Sequence, residues 1–117
     1  MGISTYVSAP KIAWLLQNGK IELNSNVAFG TIDAWLVYNL TREKTFATEI
    51  SNASRMLLMD LKEGVWRSDY ATKFGFSTEN LPEIRGSNDL YGHMESGPLE
   101  GVPISGILGD QQAALLG

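Results

Sequence analysis

A chain of 117 residues, 44% hydrophobic and 19% charged, has room for one modest domain with a core and little to spare. The formal net charge of -4 supplies no basic footprint, so nucleic acid is not an expected partner. The absence of cysteine excludes disulfides and thiolate metal sites and fits a reducing compartment such as the cytoplasm. The longest apolar runs, "IAWLL" and "MLLM", fall far short of the ~18 residues of a membrane-spanning helix. The start "MGISTYVSAPK" lacks the basic and apolar parts of a secretory signal.

In chain order, Ser8 is a natural N-cap, and Pro10 in the first turn gives up an N–H that has no helical partner. Ile12, Leu15 and Leu16 share one helical face, and Asn18-Gly19 supplies the stop. Lys20 to Asn26 reads as loop. "FGTIDAWLVYNLT" opens with a Gly-Thr corner in which Thr31 can cap a second helix. Ile32, Trp35, Leu36 and Leu40 form a broad apolar face there, with Asp33 in the first turn, where the macrodipole favours a negative charge.

"KTFATEI" alternates and reads as a strand, "SNASR" as a turn-prone break, and "MLLMDL" as a short apolar segment of either type. "WRSDYATKFGF" predicts a helix carrying Trp66, Tyr70 and Phe74 at every fourth residue, stopped by Gly75. "STENLPEI" predicts a capped single turn closed by Pro82, and "NDLYGHM" a short strand. "MESGPLEGVP" is a Gly/Pro loop, "VPISGIL" a strand, and Asp110 onward a helix. The three tryptophans sit on helical patterns and are assigned to the core. This order of elements predicts an α/β or α+β fold that does not open on a strand. The last helix is shorter than the ~11–12-residue average, so the chain reads as a piece of something larger.

No phosphate loop, dinucleotide fingerprint or His-Glu-x-x-His motif is present, and the single histidine, His93, reads as a loop or strand-end surface residue. The chemical candidate is Asp110, which follows Gly109 at the carboxyl end of a strand, where open α/β sheets collect ligands. A carboxylate there can take the proton of a substrate hydroxyl, and the amide of Gln111 can orient that hydroxyl. Residue types alone favour the simpler role for Asp110, a helix cap. Tyr6, ahead of the first helix, offers a ring face and a hydroxyl to a small ligand, although boundary packing is the commoner role.

Five segments carry a resemblance. "Tyr6-Val7-Ser8-Ala9-Pro10-Lys11-Ile12-Ala13-Trp14-Leu15-Leu16" is similar to the Tyr-Phe-Ser-x-x-Lys-x-x-Trp-hydrophobic-Leu segment of glycerol kinases. "Phe29-Gly30-Thr31-Ile32-Asp33-Ala34-Trp35-Leu36", "Ser51-Asn52-Ala53-Ser54-Arg55" and "Leu81-Pro82-Glu83-Ile84-Arg85" resemble their next three motifs. "Pro103-Ile104-Ser105-Gly106-Ile107-Leu108-Gly109-Asp110-Gln111-Gln112-Ala113-Ala114-Leu115" looks like the signature closing their amino-terminal domain. The matches run in the family's order along the chain. They depart from its pattern at Val7, Pro10 and Met56, and in the 92–103 loop, which lacks the glycine-and-arginine run of some bacterial members.

Glycerol kinases belong to the FGGY carbohydrate kinases. The resemblance implies an α/β fold: a partial ribonuclease-H-like, actin-like lobe, a mixed sheet with flanking helices, incomplete at both ends. It implies that residues 1–117 are the later part of the amino-terminal, substrate-side lobe, with no second domain. It implies ATP- and Mg2+-dependent phosphorylation of glycerol to glycerol 3-phosphate in a cytoplasmic parent enzyme, with glycerol and the remaining kinase chain as partners and self-association open. By the same resemblance Asp110 is the catalytic base and a glycerol ligand, and Gln111 and Tyr6 are further substrate contacts. The nucleotide site has no counterpart, no metal ligand is assigned, and the isolated chain is expected to be inactive. A kinase for another polyol or sugar, such as xylulose, and a non-catalytic interaction module stand as alternatives.

Overall fold

The computed structural model describes residues 6–19 and 21–117; the stretch before Tyr6 and Lys20, the first residue of the predicted loop, lie outside it. The chain divides into two compact units, one built from Met1–Phe29 and Ser54–Leu81, the other from Gly30–Ala53 and Pro82–Gly117.

The first unit starts with α1 (Ser8–Asn18). Its N-cap is Val7 rather than the predicted Ser8, because the backbone turns helical one residue earlier and no side chain caps it. Pro10 therefore sits within the first turn, where its missing N–H breaks no bond. The helix ends as expected at Gly19, whose N–H donates to Leu15 O at 2.7 Å. Later in the chain β2 (Met59–Asp60) and β3 (Val65–Trp66) form a short antiparallel pair ahead of helix Ser68–Lys73.

Trp66 thus belongs to a strand, because the Arg67 N–H donates to Leu58 O (2.8 Å) and delays the helix to Ser68. That helix ends before Gly75, whose φ of +91° suits only a residue without a Cβ. A 3-10 turn at Thr78–Asn80 follows, closed by a reciprocal capping box between Ser77 and Asn80. The single turn before Pro82 is as predicted.

The core of this unit is Ala9, Ile12, Met56, Leu58, Ala71, Phe76 and Leu81, with Leu16, Phe29 and Trp66 packed around it. Leu58 is fully buried there, so Leu58→Ala is expected to cost about 2–5 kcal/mol of stability in a urea titration. Leu61→Ala, at a site 76% exposed, should change it by less than about 0.5 kcal/mol. Equal effects would remove this cluster as the core. Trp14 is 61% exposed, which corrects its assignment to the interior.

The second unit contains α2 (Ile32–Leu40), β1 (Ala47–Glu49) and α3 (Ile50–Ser54), where a turn was expected. Past residue 81 come β4 (Glu83–Arg85), β5 (Gly92–His93), β6 (Pro103–Ile104) and α5 (Asp110–Leu116). β4, unforeseen, pairs parallel with β1 in the register Ala47–Glu83, Thr48–Ile84 and Glu49–Arg85. β5 and β6 pair antiparallel. Val37, Ala47 and Tyr91 form the buried centre, backed by Ile104 and Ile107.

α2 turns inward the face opposite to the one expected. Asp33, Ala34 and Val37 are buried, while Ile32 and Trp35 are 70% and 60% exposed. The α/β class holds, with the ladders confined to three two-stranded pairs among the described residues.

Candidate functional site

β1 delivers its last residue, Glu49, straight into α3, and α2 aims Asp33 at the same place. Both carboxylates are buried. Asp33 accepts hydrogen bonds from the Thr31 hydroxyl, the Thr48 hydroxyl (2.9 Å to Oδ2), the Glu49 N–H (2.8 Å) and Asn52 Nδ2 (3.2 Å). Glu49 accepts from the Ser51 hydroxyl (2.5 Å), the Ser51 N–H (3.0 Å) and the Asn52 N–H (3.3 Å) at one oxygen. Its other oxygen takes the Ser87 hydroxyl at 2.6 Å.

Burial opposes the charged form of Glu49, but the donations from Ser51, Ser87 and Asn52 outweigh it and hold the carboxyl below its usual range. Nearby, Tyr91 donates its hydroxyl to Gly86 O at 2.8 Å. Burial, reinforced by the Glu49 and Asp33 charges, pushes that phenol well above its ordinary value. No buried side-chain nitrogen or oxygen among the described residues lacks a partner.

Asp110 opens α5 beside this network, but not at the end of a strand as expected: β6 stops at Ile104, and residues 105–109 are irregular. Its predecessor Gly109 is buried; a methyl group there would lie 2.6 Å from Gln112 Oε1 and 3.1 Å from Ser51 Oγ. A side chain at 109 would displace the flexible end of Gln112 and press Ser51 Oγ aside by a few tenths of an ångström. The N-cap is Gly109, so Asp110 is the first helical residue, and its Oδ1 accepts only the Gln111 N–H, at 2.8 Å. The capping role favoured by residue types alone does not describe it. The carboxylate is exposed, as is Gln111 next to it. A charged, solvent-facing acceptor on a backbone fixed from behind can bind a hydroxyl and take its proton.

Tyr6 belongs to the other unit. It is 69% exposed, in the turn before α1, with the Arg55 guanidinium 5.0 Å over its ring. Two grooves run along α1, one of about 500 Å³ lined by Pro10, Lys11, Trp14 and Leu15, the other bounded by Ala13, Trp14, Gln17, Lys73 and Phe74.

His93 is the strand-end residue expected. Glu43 accepts its N–H at 2.9 Å and contacts Nδ1 at 2.6 Å, and the backbone N–H first and the ring second hold the Glu43 carboxyl at about 2. No group of three His, Asp or Glu side chains suited to a metal ion occurs among the described residues. Sequence reading passed over Asp33, Glu49 and Ser87. The available signal was the polar run Thr48-Glu49 inside a segment otherwise patterned for burial.

This unit combines short ladders with helices, an α/β arrangement, and exposes a carboxylate at the start of its last helix. Residues 1–117 match the model of the FGGY family of carbohydrate kinases, N-terminal domain, and the chain belongs to that family. A probable glycerol kinase of Caenorhabditis elegans is 49% identical over 119 residues, spanning 98% of this chain and 23% of that protein. The glycerol kinase of Nocardia farcinica is 44% identical over 120 residues, with the same coverage of 98% and 23%.

The crystal structure of Plasmodium falciparum glycerol kinase with ADP superimposes with a TM-score of 0.87 at 35% identity, over 97% of this chain and 24% of that one. A xylulose kinase from Lactobacillus acidophilus, at 21% identity and a TM-score of 0.66 over 77% of this chain and 18% of its own, shares the fold. The chain spans about a quarter of the length of the glycerol kinases it matches. No helix among the described residues is long and apolar enough to cross a membrane.

Proposed function

We propose that the protein carrying this chain is a glycerol kinase, and that residues 1–117 form the later part of its amino-terminal lobe. The observation that carries this reading is the exposed Asp110 carboxylate opening α5, set in a chain 49% identical to a probable glycerol kinase. Glycerol has no acidic proton in its ground state, so a base is effective only as the hydroxyl attacks phosphorus and alkoxide character builds. A carboxylate fixed at its backbone suits that late transfer: positioning does most of the catalysis, and the proton has a nearby acceptor when needed.

Asp110 accepts the proton of the attacking hydroxyl, and the Gln111 amide orients it. The assignment of Tyr6 as a further substrate contact rests on the family resemblance alone. ATP is the phosphoryl donor, bound by parts of the protein outside this chain. The family resemblance also implies magnesium, which would neutralise charge on the nucleotide phosphates when bound and is commonly held by phosphates, water and one or two carboxylates; no residue of this chain is assigned to it. We place the reaction in the cytoplasm, in keeping with the cysteine-free sequence.

The test is ADP release by the full-length protein with glycerol, xylulose and other polyols at equal concentration. Turnover with glycerol at least about a hundredfold above xylulose is expected, since a site built to pair one set of hydroxyls discriminates strongly. Preference for xylulose or another sugar would reassign the substrate, and no turnover with any of them would favour the non-catalytic module. The 117-residue chain by itself should release none.

A further inference from the structure

We propose that Glu49 is the positioning residue that holds the Asp110 segment in place. The inference rests on the reading of Asp110 as the base. A fully buried carboxylate in a strand is costly, and an apolar side chain would serve a sheet better. What Glu49 gains is a grip on two separate points of the path to Asp110.

One of its oxygens fixes the Ser87 hydroxyl, and the Ser87 carbonyl in turn accepts the Ile107 N–H at 3.0 Å. The same carbonyl lies 3.4 Å from where a Cβ on Gly106 would stand, so the backbones run in close contact. The other oxygen fixes Ser51, whose hydroxyl abuts Gly109. The segment from Gly106 to Gly109 is thus met at one end by a hydrogen bond to the Ser87 carbonyl and at the other by close approach to the Ser51 hydroxyl, and both serines donate to one carboxylate. Beyond it, the Ala113 N–H donates to Gly109 O at 2.8 Å and starts α5. Among the described residues Glu49 accepts hydrogen bonds from Ser51, Asn52 and Ser87 and makes none with Asp110. It acts through the backbone.

The experiment compares the full-length protein with Glu49→Gln and Ser87→Ala variants by two readouts. In hydrogen exchange, Glu49→Gln should speed exchange at Ile107 and Ala113 by at least about tenfold, while the Arg67 amide of the other unit keeps its rate. Unchanged exchange at Ile107 overturns the proposal. In kinetics, Glu49→Gln should lower kcat by at least about tenfold with KM for glycerol nearly unchanged, as expected when a reacting group is misplaced.

Placed on top of Asp110→Asn, the same substitution should lower kcat no further, because its effect passes through Asp110. An additive loss means a general structural role and overturns the proposal. If Glu49→Gln fails to fold, Ser87→Ala, which breaks the same link from its outer end, carries both tests. A wild-type protein inactive on glycerol removes the functional reading, and the exchange result then decides the role of Glu49 alone.

Discussion

Asp110→Asn in the full-length protein is expected to lower kcat for glycerol by about three orders of magnitude, within the 10²–10⁴ range that a positioned general base supplies. The substitution is nearly isosteric, and its side-chain oxygen can still accept the Gln111 N–H, so the start of α5 is retained. An amide cannot take the proton of the attacking hydroxyl, and the developing alkoxide is left without an acceptor. The KM for glycerol should change much less than kcat, because an asparagine still hydrogen-bonds a hydroxyl. Steady-state kinetics with an unchanged melting temperature is the measurement. A variant retaining more than about a tenth of wild-type kcat would move the base elsewhere.

Asp33→Ala is the second large effect, this time on stability. The Asp33 carboxylate is the acceptor for the hydroxyls of Thr31 and Thr48, the Glu49 N–H and the Asn52 amide. Removing it strands several donors where water is scarce, at a cost of about 3 kcal/mol or more, since each bond to a charged acceptor counts for ~1.5–3 and the losses overlap. Ile32→Ala, one residue earlier on α2 and 70% exposed, should cost within about 0.5 kcal/mol in the same urea titration. Sequence patterning predicts the reverse ranking, with Ile32 in the core and Asp33 on the surface. Equal or inverted costs would show that α2 packs by its apolar face.

The acid side of the same network has a definite sign. Glu49 keeps its charge below the usual carboxylate range, so the stability it contributes is fully present above that range. It is lost as pH falls through its depressed value.

Local signals were legible wherever a single turn decides the outcome. Gly75 ends its helix because its φ is positive, and Ser77 caps the turn before Pro82 because its hydroxyl and the Asn80 side chain satisfy each other's backbone. The start of α5 was visible for the same reason, a glycine followed by a helix-forming run, but the strand expected to reach it pairs only at Pro103–Ile104 and leaves residues 105–109 irregular. Its carboxylate was misread as a cap because the one-residue difference between N-cap and first helical position depends on Gly109 seating against Ser51 and Gln112.

α2 was misread because "IDAWLVYNL" is apolar on nearly every side, so periodicity cannot choose which stripe turns inward. Asp33 wins because β1 and α3 present it with donors that no isoleucine could use. β4 was missed because three residues, "EIR", carry almost no strand signal of their own, and they pair with β1 across the intervening residues 50–82.

The sequence by itself therefore determined the family, through five motifs kept in order, and placed an acceptor-competent carboxylate at residue 110. Those are properties of residue identity and short-range spacing, which the chain carries whether or not it is folded. The tertiary structure alone decided that Asp33 and Glu49 are buried together, and that Ser51 and Ser87 join Glu49 to the Gly106–Gly109 segment. Such a network exists only when residues distant in the chain meet, with 16 positions between Asp33 and Glu49 and 38 between Glu49 and Ser87. Its stability comes from donors and acceptors withdrawn from water at the same point, and no local pattern records that.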